Sequence, residues 1–168
     1  MKILAIDPGN TESAYVLMNT DYTIRNGIAY KFHNNTVLKA VEDFGKIYGK
    51  NLTVVIEMVA SYGMAVGKEV FDTCVWIGRF TQAAAAAGCQ VEYIYRIEEK
   101  QRICHDSRAK DSNIRQALID RFAVFDKKAG KGTKKHPDVF YGFAKDMWSA
   151  FAVGVTWLDK QKEAADGL

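Results

Sequence analysis

The chain has 168 residues, of which 48% are hydrophobic and 26% charged, with a formal net charge of +3. That length suits one well-buried domain over residues 1–168 and is too short for two. The composition is that of an ordinary soluble globular protein, and so mildly basic a total charge decides nothing about partners. Three widely spaced cysteines without a CxxC pair argue against a disulfide framework or zinc site, and Cys74 and Cys89 read as buried free thiols. No apolar run is long enough for a bilayer, and the N-terminus reads as a strand, not a signal peptide, so a cytoplasmic protein without a membrane partner is expected.

In chain order, Ile3 to Ile6 is an apolar strand that runs into Asp7-Pro8-Gly9. Ala14 to Met18 and Ile24 to Phe32 complete a three-strand meander. Val37, Leu38, Val41, Phe44 and Tyr48 recur at helical spacing, and Leu52 to Ile56 is a β-branched strand that delivers Glu57 at its tip. A long helix is predicted from Lys68 to Ala87, whose alanines at 83–87 admit a closely packed neighbour. Val91 to Tyr95 is a fifth strand, a helix starts near Asp111 or Ser112, and a last helix runs from Phe143 to Lys160 with Ala150, Val153, Gly154 and Trp157 as its apolar stripe. The predicted fold is α/β: a mixed five-stranded sheet, antiparallel meander first, with helices on both faces.

Three acids stand out. Asp7 and Glu57 each end a buried strand, so neighbouring strands would bring them together at one sheet edge. Asp146 shares a helical face with Ala150, Val153 and Trp157, which turns it inward, where a carboxylate needs a partner. Converging carboxylates repel unless a cation neutralises them, and an oxygen-only donor set suits Mg²⁺, with Mn²⁺ as a substitute. Such a site hydrolyses phosphodiesters, two metals supplying a hydroxide nucleophile and stabilising the leaving 3′-oxygen. Singly, each acid has a plain structural reading: a turn residue, a lysine partner, a helix-start charge.

Between Lys127 and Lys135 lie five lysines with Gly130 and Gly132 and no acid, a stretch that reads as a flexible cationic loop for a phosphate backbone or as solvated surface. Lys110, before the helix start at Ser112, is a candidate phosphate contact, as are Lys134 and Lys135.

The segments Ile3–Gly9, Val54–Glu57, Val75–Phe80, Lys110–Arg115 and Lys145–Gly154, in this order, resemble RuvC-type Holliday junction resolvases of the RNase H-like superfamily. Lys131–Lys135 and Phe140–Phe143 look closest to the resolvase-like proteins of phages and prophages. The resemblance implies a crossover-junction endodeoxyribonuclease, with Asp7, Glu57 and Asp146 as catalytic, metal-binding acids. It further implies four-way-junction DNA as partner, a role in recombination or repair, and a homodimer with two active sites. It also implies that the loop after Glu57 meets DNA, where Tyr62 could stack on a base. One position departs from the family, which carries an Asp or His three residues before its last aspartate, where this chain has Phe143; water, Asn10, Asp138 or His136 stay open as the fourth ligand. Three rivals remain: a junction binder without catalysis, a nuclease that debranches other DNA, and an actin- or Hsp70-type nucleotide binder. The last lacks the second domain and glycine-rich loop it would need.

Overall fold

The computed structural model describes residues 1–61 and 63–167, with the side chain of Asn26 left out. Strand β1 (Lys2–Asp7) pairs antiparallel with β2 (Glu12–Asn19), which pairs antiparallel with β3 (Ile24–His33). On the other side of β1, strand β4 (Leu52–Met58) and then β5 (Gln90–Tyr95) add in parallel, so the sheet order is β3-β2-β1-β4-β5. This is the predicted mixed five-stranded sheet. Its centre is β1, whose Ile3, Leu4, Ala5 and Ile6 are all fully buried because both sheet faces are covered. Ile3, Leu4 and Ile6 each contribute about 1.5–3 kcal/mol by leaving water.

Side chains of successive strand residues alternate between faces. Leu4, Ile6, Leu17, Val54 and Ile56 pack beneath helices α1 (Asn34–Tyr48) and α2 (Lys68–Ala86). Near their C-terminal ends these two helices approach so closely that a Cβ on Gly45 would lie 2.5 Å from that of Ala87, which is the use made of the small-residue run. Ile3, Ala5, Val16, Met18 and Val55 face the other way, toward α4 (Asp111–Phe122) and α5 (Lys145–Asp166). Helix α5 crosses β1 and β2 at Gly154, where a Cβ would fall 2.4 Å from Met18 Sδ and 3.1 Å from Ala5 Cβ.

Four expectations are corrected. A further helix, α3 (Arg96–Cys104), follows β5 directly; among its residues only Glu99 is buried, so it shows no apolar period in sequence. Helix α5 begins two residues later than Phe143 and runs on to Asp166, its far end tied to α3 by Lys160–Glu98 and Arg102–Glu163 ion pairs. Cys74 is exposed, on an outward face of α2 that also shows Phe71 and Val75; Cys89 is buried as expected.

The fourth correction concerns the lysine-glycine stretch, which is a braced loop and not a flexible one. Asp126 accepts backbone N–H bonds from Lys128, Ala129, Lys131 and Gly132, and Asp138 accepts them from Val124, Phe125, Asp126 and Val139. These donors outweigh the cost of desolvation and hold the Asp138 carboxyl well below the ordinary carboxylate range. Lysines on such a loop are displayed from a fixed frame.

Candidate metal centre and nucleic-acid interface

The last parallel pair of β1 and β4 is Ile6 with Ile56, so Asp7 and Glu57 are the next residues on adjoining strands. Counting by twos from Ala5 and Val55 puts both on the face that α5 covers. The cross-strand row through them reads Lys31, Ala14, Asp7, Glu57, Ile94. Two acids therefore meet because two buried parallel strands end in register.

The electrostatics follow from that placement. Burial, then the neighbouring Glu57 and Asp146 charges, push the Asp7 carboxyl up to about 8. Burial raises Glu57 as well, against the opposing pull of Arg96. The Glu57 carboxyl beside Asp7 thus adds to the shift that burial begins. Both shifts oppose full ionisation of the pair, which a bound cation would favour.

The turn after Asp7 is locked by a polar ring absent from the sequence reading. The Gly9 N–H donates to Ser13 Oγ at 3.1 Å, the Ser13 hydroxyl donates to Asn34 Oδ1 at 2.6 Å, and Asn34 Nδ2 donates to the Gly9 carbonyl at 2.8 Å. Ser13 and Asn34 are buried, so the bond between them is shielded from water.

Helix α3 brings two more groups that sequence reasoning missed. Glu99 is fully buried, and its carboxyl is held well above the usual range by burial first and by the Glu57 charge second. Arg96 bonds Glu99 at 2.5 Å and Asp111 at 2.7 Å. Desolvation would lower the Arg96 pKa, but Glu99, Glu57 and Asp111 overcome it and raise it. The Arg96 charge thus acts on both members of the acidic pair. In sequence Arg96 and Glu99 sit in an unpatterned charged run, and only the short step from the end of β5 hinted that they stand beside Glu57.

Asp146, in the first turn of α5, is half-buried and is bound by Lys31 at 2.7 Å, which also reaches Glu12 at 3.1 Å. Ala14, between Lys31 and Asp7 in the row, is small enough to leave that path open. Among the described residues no three His, Cys, Asp or Glu side chains are arranged to hold a metal ion: Asp7 and Glu57 form a pair, and Asp146 is turned to Lys31. The donor chemistry still fits a hard divalent cation, since the paired groups are carboxyls whose ionisation burial opposes and a cation would favour.

The other expected residues are placed as follows. Lys110 is exposed at the N-terminus of α4, its backbone N–H bonded to Asn113 Oδ1. Lys134 and Lys135 are exposed at the tip of a tight turn closed by bonds between Thr133 and His136. Tyr62 lies outside the described residues. Of the alternatives for the fourth ligand, Asp138 is spent on four backbone N–H groups, while Asn10 and His136 are exposed. Phe143 is buried among Phe140, Trp148 and Phe151.

No family model matches the sequence, and no curated protein matches it. Solved structures do match in shape. The structure of Thermus thermophilus RuvC aligns with a TM-score of 0.64 at 14% identity, covering 97% of this chain and 97% of that one. Thermus thermophilus RuvC in complex with a Holliday junction substrate aligns with a TM-score of 0.66 at 12% identity, covering 93% and 92%. At such identity the likeness is one of fold, and that fold is RNase H-like across nearly the whole chain.

Proposed function

We propose that the protein is a divalent-metal-dependent endonuclease for branched DNA, the four-way junction foremost, with Asp7, Glu57 and Asp146 as the acids that hold Mg²⁺ or Mn²⁺. The observation that carries this reading is the Asp7–Glu57 pair, buried side by side at the end of the central strands with Asp7 pushed up to about 8. Two carboxyls kept short of full ionisation are destabilised until a cation arrives. A structure-matched relative solved with a Holliday junction supports the choice of substrate.

A divalent metal held by Asp7, Glu57 and Asp146 would supply an activated water and stabilise charge on the leaving oxygen. The chain does the rest. The Ser13–Asn34 ring fixes the turn that carries Asp7, and β4 presents Glu57 in register beside it. Asp146, bound to Lys31, would complete the acidic set around such a metal, and Arg96 tempers the negative charge next to Glu57. Junction resolution requires two matched cuts, so we place two copies across a two-fold axis, with the outward α2 face at Phe71 and Val75 as the contact.

The test is incubation with labelled four-way junction and linear duplex in Mg²⁺, Mn²⁺ or EDTA. Paired incisions near the branch, only with metal, are expected. Junction binding with no cutting in any metal would overturn the nuclease assignment. It would favour a second reading, a junction binder without catalysis, which draws on Phe143 in place of a ligand and on the Lys31–Asp146 ion pair.

A further inference from the structure

A cleft of about 550 Å³ opens beside Asp146, between the first turns of α4 and α5 and the lysine-bearing loop. Four cations line it, Arg96, Arg115, Lys131 and Lys145, against two acids, Asp111 and Asp146. Arg96 is spent on Glu99 and Asp111, and Asp146 is spent on Lys31. Among the described residues, Arg115, Lys131 and Lys145 make no ion pair, so the cleft carries three uncompensated positive charges at the edge of the acidic centre.

Two of these cations are positioned by the fold. The Arg115 guanidinium lies 4.8 Å from the centre of the Trp148 ring, which is buried and held by Phe140 at 4.4 Å and Phe143 at 5.3 Å. Lys131 is gripped through its backbone: its N–H donates to Asp126 Oδ2 at 3.0 Å, and its carbonyl accepts from the Asp138 N–H at 2.9 Å. Lys145 is the first residue of α5, next to Asp146 itself. The Ser112 and Ser149 hydroxyls also open onto the cleft. A concave wall of pre-placed cations and hydroxyls, open to solvent, matches a chain of phosphodiesters.

We propose that this cleft seats the phosphate backbone of the DNA strand flanking the cut, with Arg115, Lys131 and Lys145 each taking a phosphate oxygen. The assignment rests on the nuclease reading for its substrate and extends it to a strand-holding site. It also gives Phe143 a use: instead of a carboxylate or imidazole at the acids, this chain has an aromatic that braces Trp148, and through it Arg115.

The test measures junction binding in EDTA, where cutting is absent, as a function of salt. Arg115→Gln, Lys131→Gln and Lys145→Gln should each weaken binding several-fold and reduce the slope of log affinity against log salt by about one, the triple variant by about three. Arg115→Lys should recover the slope but only part of the affinity, since charge returns without the stacking plane. Lys39→Gln, on the far face of the molecule at α1, should change neither. A folded set of single variants with unaltered affinity and slope would overturn the proposal. The two readings separate cleanly: wild type that binds junctions without cutting them sinks the nuclease alone, whereas cutting with unchanged variant binding sinks the cleft alone.

Discussion

At the scale of single residues, Asp7 carries the most consequence. Its carboxyl ionises near 3.8 in an unfolded chain and near 8 here, so between those values the folded state binds more protons. Its contribution to stability is therefore intact below about pH 4 and is lost as the pH rises to about 8. Asp7→Asn should remove that slope: in EDTA at pH 8 the variant should be more stable than wild type by about 1–3 kcal/mol, read from urea unfolding. Mg²⁺ should raise the melting temperature of wild type at pH 8 and leave that of Asp7→Asn unmoved. Cleavage should vanish in the variant while junction binding persists or tightens; cleavage that survives removes Asp7 from the site. Lys31 gives a second handle. Its ammonium competes with any incoming cation for Asp146, so Lys31→Met should lower the Mg²⁺ concentration for half-maximal cleavage several-fold. An increase would mean that Lys31 positions Asp146 instead of blocking it.

At the scale of elements, the close crossing of α5 over β1 and β2 depends on Gly154. An alanine there gains about 1 kcal/mol in helix propensity but pushes into the buried Met18 thioether, an overpacking cost of about 1–3 kcal/mol. The expected net result for Gly154→Ala is a loss of about 1 kcal/mol, or about 2–4 °C in melting temperature for a chain of this size. The 124–140 loop depends on Asp126 and Asp138. Asp138→Ala leaves the N–H groups of Val124, Phe125, Asp126 and Val139 without their acceptor, so trypsin should then cut after Lys127 and Lys128 in a loop that resists it in wild type. Equal resistance in both proteins would show that the carboxylate is dispensable to the frame. In sequence this loop looked pliable because lysine and glycine dominate it; the two aspartates that organise it act through backbone donors, which composition does not reveal.

For the whole molecule, the distribution of charge matters more than the net +3. Cations at the α4–α5 cleft and at the Lys134–Lys135 turn share one chain with an acidic pair at the sheet edge. If two copies work together on a junction, light scattering in solution should give twice the chain mass of 18.8 kDa. Phe71→Glu on the outward α2 face should return it to the single-chain value and convert paired incisions into single nicks. A wild type of single-chain mass that still makes paired incisions would overturn the dimer.

The sequence by itself determined the five strands and the mixed class of the sheet, because apolar runs of the right length are a local property; that β4 lies beside β1 was decided by the tertiary structure. It also marked Asp7 and Glu57, each a charge at the end of such a run. Only the tertiary structure decided what surrounds them. Glu99 and Arg96 come from a helix without an apolar period, Lys31 reaches Asp146 across a neighbouring strand, and Ser13 and Asn34 close a ring from positions 21 apart. These are contacts between residues distant in the chain, and nothing in the local order of residue types encodes them. Phe143 shows the same division: the resemblance marked the position as a departure, and the structure shows the ring packed against Trp148, beside Arg115.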